Sequence, residues 1–237
     1  MKKLLLILLC IIFGKNILAQ QEIKRAPLNP DFVNYIHQSQ ETKDSRNGYI
    51  PPPYLPNFVQ HDGEKAAFPV FKSLPAQFDL RDQGAVTPVK NQGQFGTCWA
   101  FSAMGSIESR LASLETTFHD LSEKNMVTCS GFENGVDAGG NEYMSAAYLT
   151  RLDGPVLEAD DPYSSLTYIS GCADSLETFR YIPEARWLPD NITEVKRALM
   201  NYGAIATSMY SSEQSEYYNS TDHTWYYTGE ENSNHGV

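Results

Sequence analysis

The sequence predicts an α+β fold in two parts, because helix patterns come first along the body of the chain and strand patterns follow them. Residues 98–113 and 142–151 have the character of helices. Residues 204–210 and the tyrosine-rich stretch 217–227 have the character of strands. A composition that is 41% hydrophobic and 12% aromatic is typical of a folded domain and excludes a disordered or collagen-like chain.

Two of the predicted helices are marked by clear local signals. In residues 98–113 the apolar positions recur at helical spacing, namely at Trp99, Met104, Ile107 and Leu111. A further helix is predicted from about Ile192 to Asn201, since Asn191 and Glu194 form a capping-box pattern before it and Gly203 follows to end it.

Residues 1–19 have the pattern of a secretory signal peptide. Lys2 and Lys3 precede an apolar run from Leu4 to Phe13, and small residues ending at Ala19 suggest a cleavage point. The run is short for a bilayer span, although an uncleaved membrane anchor is the alternative. The sequence therefore predicts a secreted, periplasmic or extracellular protein, with no membrane span once the signal is removed.

Residues 20–73 form an N-terminal extension that contains seven of the thirteen prolines. One short helix is predicted there, with Asn29 as N-cap and Pro30 in the first helical position. Elsewhere the proline content favours extended chain that lies on another surface. A removable pro-segment and a permanently attached extension are both compatible with this pattern.

The charge and the cysteines limit the possible partners. A net charge of −11 without a basic cluster argues against nucleic-acid binding. No spacing of cysteines and histidines suggests a metal, and no cofactor motif is present. Removal of the signal leaves Cys98, Cys129 and Cys172, an odd number that predicts one disulfide and one further thiol in an exported protein.

Residues 92–102 read Gln-Gly-Gln-Phe-Gly-Thr-Cys-Trp-Ala-Phe-Ser and carry the strongest chemical signal. They place Cys98 at the start of a predicted helix, directly after a glycine-containing loop. Backbone N–H groups and the helix dipole at such a position favour the thiolate, which is the nucleophilic form.

This segment resembles the active-site signature of the papain family of cysteine peptidases. Further family motifs occur in the family's order, namely Leu74-Pro75, Phe78-Asp79-Leu80-Arg81, Gly84 to Gly93, Leu121-Ser122-Glu123-Lys124, Cys129-Ser130, Gly139-Gly140, Gly154-Pro155-Val156 and Pro162-Tyr163. The resemblance covers residues 74–237. It implies a papain-like two-domain fold with a helical left domain, assigned to 74–185, and a β-barrel-like right domain, assigned to 186–237 and incomplete in this chain.

The resemblance also implies roles for individual residues. Cys98 matches the family's nucleophile, and Gln92 matches the glutamine whose amide joins the Cys98 backbone N–H in the oxyanion hole. The family's histidine lies about 130–150 residues after the cysteine, which selects His235 over His223. Cys129 and Cys172 fall where the family has a disulfide.

Gly139 and Gly140 resemble the glycine pair along which a substrate backbone lies, since a residue without Cβ leaves its main chain accessible. For Gly139 a simple turn is an equal alternative. Asn141, Glu142 and Tyr143 follow the pair, but the sequence does not show whether they shape specificity.

These observations predict a monomeric cysteine peptidase that hydrolyses peptide or protein substrates through a thioester. The alternative is a secreted non-catalytic binding or adhesion module on the same scaffold. In the family an asparagine after the histidine orients the imidazole, and this chain ends two residues after His235. We therefore expect a fragment that is poorly soluble or inactive alone.

Overall fold

A computed structural model describes residues 26–38, 48–55, 73–132, 137–163, 171–173, 175–212, 215–222 and 224–237. The predicted signal peptide lies outside these residues. The helices in the described part of the chain are α1 (Pro30–His37), α2 (Cys98–Glu115), α3 (Glu123–Cys129), α4 (Glu142–Thr150) and α5 (Ile192–Tyr202). The strands are β1 (Ser208–Met209), β2 (Tyr218–Asn219), β3 (Thr224–Trp225) and β4 (His235–Gly236).

The helices begin where the sequence offers a cap. The Asn29 side chain accepts a hydrogen bond from the Asp31 N–H at the start of α1, which confirms that prediction. Asn191 accepts from two N–H groups at the start of α5, and Gly203 ends it with a φ of 99°. α3 was not predicted because its seven residues are too few to display a period, although Ser122 caps it.

The core is built around α2, against which α3, α4 and α5 pack. The predicted apolar face of α2 is correct, since Trp99, Met104 and Leu111 are buried and Ile107 packs against them partly buried. The rest of the core comes mainly from α3 and α4 and from the residue two positions before α3, namely Leu121, Met126, Val127, Met144, Tyr148 and Leu149.

One lysine joins the loop before α2 to two helices. The Lys90 ammonium lies 2.6 Å from a carboxylate oxygen of Glu108 on α2 and 2.9 Å from one of Glu123 on α3. Both carboxylates are buried. Asp120, which is exposed, and the Leu121 carbonyl complete the contacts of Lys90.

The strands follow the helices, as the sequence predicts, but they are short. β1 pairs antiparallel with β4, and β2 pairs antiparallel with β3. The predicted strand over 204–210 is reduced to Ser208–Met209 in the ladder, with Thr207 and Val237 exchanging hydrogen bonds beside it at 2.8 and 2.9 Å. Within the described residues the chain is thus an α+β fold in which a helical body meets small antiparallel sheets. No helix there is long and apolar enough to span a bilayer.

Candidate active site

Cys98 is the first residue of α2 and is completely buried. The backbone N–H of Gly236 donates a hydrogen bond to its Sγ at 3.2 Å. Burial raises the pKa of the Cys98 thiol to about 11, although N–H groups of Gly236, Trp99 and Cys98 itself act in the opposite direction. The N–H groups at the helix start thus favour the thiolate, as the sequence argument expects, but desolvation by burial outweighs them in this arrangement.

The loop before α2, residues 92–97, is held by hydrogen bonds within the loop and by side chains from elsewhere in the chain. The Gln92 side-chain amide donates to the Phe95 carbonyl at 2.7 Å, and the Gln92 carbonyl accepts from the Tyr163 hydroxyl at 2.8 Å. The Gly96 N–H donates to a carboxylate oxygen of Asp137 at 2.7 Å. Sequence reasoning assigned no role to Asp137, and only the family motif around Pro162-Tyr163 marked Tyr163.

His235 lies in β4, next in the chain to the glycine that contacts Cys98. β4 is held by β1 through the Met209↔His235 pair, and the side chain of Asn234 exchanges two hydrogen bonds with the backbone of Ser211. The structure thus brings the strand of His235 to the start of α2. The other described histidines lie elsewhere in the structure. His37 is on α1, and His119 lies beyond the end of α2, where it bonds the side chain of Glu115, the last residue of that helix. His61 and His223 lie outside the described residues.

The glycine pair lies beside the start of α2, and both positions require glycine. A Cβ on Gly140 would lie 2.5 Å from the ring of Trp99. Gly139 has a φ of +89°, and a Cβ there would lie 2.6 Å from the Gly48 carbonyl oxygen. Gly139 therefore touches another segment of the chain and is not only part of a local turn.

That segment is residues 48–50 of the N-terminal extension, here called the cleft segment. The Gly140 N–H donates to the Gly48 carbonyl at 2.9 Å, and the Ile50 N–H donates to the Gly140 carbonyl at 2.8 Å. On its other side Gly48 forms an antiparallel bridge with His235. A peptide backbone therefore already lies between the glycine pair and the strand of His235. Nothing in the sequence marked residues 48–50 for this position.

Two further expectations concern the cysteines and metals. Cys129 and Cys172 form a disulfide, and Cys98 is not part of it. Over the ranges that the structure describes, no group of His, Cys, Asp and Glu side chains is arranged to hold a metal ion. The chemistry available at the site is that of a thiol, an imidazole and backbone amides.

Comparison with known proteins gives the same site a family context. The sequence profile of the papain family cysteine protease domain matches residues 74–237. Cathepsin K of Gallus gallus is 35% identical over 173 residues, which cover 69% of this chain and 49% of the cathepsin. Cathepsin 7 of Rattus norvegicus is 34% identical, over 60% of this chain and 43% of its own length. The chain thus spans about half the length of these relatives.

Solved structures agree in fold. The protease and lectin-like domains of Cwp84, a surface layer associated protein of Clostridium difficile, match with a TM-score of 0.69 at 25% identity, over 90% of this chain and 47% of that one. A form of Cwp84 after propeptide cleavage matches with a TM-score of 0.60 at 29% identity, over 68% of this chain and 42% of that one. Procathepsin L 3 of Tenebrio molitor, at 23% identity and a TM-score of 0.59, shares the fold over 82% of this chain and 60% of its own.

Proposed function

The chain belongs to the papain family of cysteine proteases, and we propose on this basis that it hydrolyses peptide bonds with Cys98 as nucleophile and His235 as proton carrier. The observation that carries the proposal is the 3.2 Å hydrogen bond from the Gly236 N–H to the Cys98 sulfur. It brings the strand of His235 against the start of α2, although His235 and Cys98 are 137 positions apart in the sequence.

The proposed reaction has two halves. Cys98 Sγ attacks the carbonyl carbon of the scissile bond while His235 takes the thiol proton, and the tetrahedral intermediate collapses to a thioester as His235 protonates the leaving amine. Water then attacks the thioester carbon, with His235 accepting its proton. Cys98 Sγ then leaves the tetrahedral carbon and takes that proton from His235, which releases the carboxylic acid product and restores the thiol, so no external oxidant or cofactor enters the balance.

The negative charge that develops on the carbonyl oxygen needs N–H donors. We assign these to the Cys98 backbone and to the Gln92 side chain. The Gln92 amide donates to Phe95 in the structure, but a primary amide carries two N–H groups, so this bond is compatible with the role. Loss of one such donor typically lowers kcat by about 10²–10³-fold.

We further propose that residues 20–73 are a removable pro-segment. The cleft segment pairs with Gly140 on one side and His235 on the other, so it occupies the groove that a peptide substrate would need. The likeness to Cwp84 covers 90% of this chain and therefore includes residues before position 74. Burial of Cys98 and the raised pKa of its thiol describe a nucleophile held in its unreactive form.

The proposal includes export of a monomer that acts on peptides or proteins. Disulfides persist mainly in oxidising compartments, and the Cys129–Cys172 bond agrees with the signal peptide predicted at residues 1–19. The domain division at residues 74–185 and 186–237 remains part of this proposal.

Variants of Cys98 and His235 test the assignment. With a fluorogenic peptide and protein from which residues 20–73 have been removed, Cys98→Ala and His235→Ala should each lower kcat/KM by about 10³-fold or more. His119→Ala is the matched control and should keep the rate, because this histidine bonds Glu115 at the far end of α2 from Cys98. Undiminished hydrolysis by Cys98→Ala would overturn the proposal, and a Cys98 that neither turns over substrate nor takes a thiol-directed label after residues 20–73 are removed would favour the binding-module alternative.

A further inference from the structure

Tyr49 is the middle residue of the cleft segment and has a half-buried side chain that the peptidase chemistry does not use. Its hydroxyl donates a hydrogen bond to a carboxylate oxygen of Glu142 at 3.2 Å. Burial, followed by the negative charge of Glu142, raises the pKa of Tyr49, which keeps the hydroxyl protonated as a donor.

The backbone on either side of Tyr49 is held at the glycine pair and at β4. Gly48 and Ile50 both hydrogen-bond Gly140, and Gly48 bridges to His235. The Asn141 side-chain amide adds a bond to the Ile50 carbonyl at 3.1 Å. Tyr49 is therefore held at a defined position in the groove. The contacts of its side chain show which chemical groups can bind at that position.

We propose that Glu142 is a specificity-determining residue that selects, at the position of Tyr49, a side chain ending in a hydrogen-bond donor or a positive charge. Tyrosine, lysine and arginine fit this chemistry, whereas aspartate and glutamate are disfavoured. The inference rests on the proposed function, since it names the substrate class for the same cleft.

The physical basis is the position of the Glu142 carboxylate. Glu142 is the first residue of α4, whose N-terminus is capped by Asn141, so its side chain lies at the positive end of the helix dipole. Hydrogen bonds between a guanidinium or ammonium and a carboxylate are roughly twice as strong as neutral ones. An acidic side chain at the same position would face a like charge in a half-buried site.

The chain's own cleft segment provides the probe. The Ile50 N–H exchanges with deuterium only when its bond to the Gly140 carbonyl opens, so its exchange rate reports how firmly residue 49 is held. We expect residues 48–50 to exchange about tenfold or more slowly in Tyr49→Arg than in Tyr49→Glu. In a Glu142→Lys background this order should reverse, because the charge at the site has been inverted.

Glu115→Lys is the matched control. It makes the same charge change on an exposed residue about 25 Å along α2 from Cys98, and it should keep the original order. Slow exchange of the α2 core amides in every variant verifies that the proteins are folded. Equal exchange in the Tyr49→Arg and Tyr49→Glu variants, or an order that Glu142→Lys leaves unchanged, would overturn the inference.

Labelling of Cys98 by a thiol-directed epoxide in the same samples separates this inference from the proposed function. The exchange rates do not depend on the reactivity of Cys98, so they decide the role of Glu142 by themselves. Absence of labelling in variants with a rapidly exchanging cleft segment would instead contradict the assignment of Cys98 as the nucleophile.

Discussion

At the scale of single residues, Gly140 joins the core to the cleft. Its Cα faces the ring of Trp99, which is buried, and its backbone N–H and carbonyl both bond the cleft segment. A side chain at this position would therefore disturb packing and peptide binding together.

Gly140→Ala should lower the free energy of unfolding by about 1–3 kcal/mol, because the new Cβ would lie 2.5 Å from a ring that has little room to move. Urea denaturation measures the loss. Gly105→Ala is the control, since a Cβ there meets nothing within 4 Å and lies inside α2, where alanine should stabilise by about 0.5–1 kcal/mol. Equal stability of Gly140→Ala and the parent would contradict this packing.

A second prediction at this scale concerns the stability of a variant at Lys90. Lys90→Met leaves Glu108 and Glu123 buried without their cation. Removal of one partner from a buried ion pair typically lowers the free energy of unfolding by about 3–5 kcal/mol. Burial already raises the pKa of Glu123 to about 7, so its protonation relieves part of the loss at low pH. Urea unfolding should show a larger loss at pH 8 than at pH 5.

The control for Lys90 is Lys196→Met, which removes an exposed lysine from α5 and should change stability by less than about 0.5 kcal/mol. The sign of the pH effect follows from proton binding. With a raised pKa, native Glu123 holds more protons than the unfolded chain between pH 4.5 and 7, so its contribution to stability falls as the pH rises through that window. A pH-independent loss in Lys90→Met would contradict this account.

Residue types and spacing predicted much of the candidate site, while its electrostatics needed the fold. Cys98 at a helix start was readable because that signal is local, whereas His235 was selected by the spacing that the family resemblance implies. The raised pKa of the Cys98 thiol was not, since desolvation comes from residues far along the chain. Tyr49 and Glu142, which are 93 positions apart, likewise meet only once the chain has folded.

At the scale of elements, the helices were predictable and the strands less so. Capping residues and the apolar period mark α1, α2 and α5 in the sequence. A strand forms only where a partner strand lies beside it. Within the described residues, β1 is limited to the two residues that pair with residues 235–236. Short ladders of this kind carry too few residues for an alternating pattern to be recognised.

The disulfide belongs to this scale because it ties the end of α3 to residue 172. Replacing both cysteines, as Cys129→Ser with Cys172→Ser, should lower the free energy of unfolding by about 4 kcal/mol, since the bond closes a long loop in the unfolded chain. Urea denaturation of the oxidised protein and of the double variant measures the difference. Reductant should lower the free energy of unfolding of the parent but not that of the double variant. A difference in this free energy below about 1 kcal/mol between the oxidised parent and the variant would contradict the loop-closure argument.

At the scale of the whole molecule, four distant segments meet at one place. The cleft segment, the loop and start of α2, the glycine pair and β4 converge around Cys98. The family resemblance predicted three of these segments, because each carries a motif. The cleft segment carries none, because it is held by backbone pairing and by contacts of single residues that no spacing in the sequence marks.

Gly48→Ala tests this convergence. Gly48 has a φ of +64°, and a Cβ would lie 2.3 Å from the carbonyl carbon of Gly96, so alanine should displace the cleft segment. Cys98 should then react with iodoacetamide about tenfold or more faster. The pH midpoint of the reaction should fall from about 11 towards the ordinary value of 9, because water reaches the thiolate.

Gly105→Ala again serves as the control, since it changes no contact of the cleft segment and should leave the labelling rate unaltered. An unchanged rate and midpoint in Gly48→Ala would contradict the proposal that the extension blocks the site.

The most direct test of the central claim, that Cys98 and His235 act as one reactive pair, is to map a thiol-directed epoxide adduct by mass spectrometry. We expect a single adduct on Cys98 in the parent and in Gly48→Ala, with faster formation in the latter. His235→Ala should reduce the rate at Cys98 by about 10²-fold or more at neutral pH, because the thiol loses the base that takes its proton. An adduct at another residue, or equal labelling of Cys98 without His235, would contradict the account.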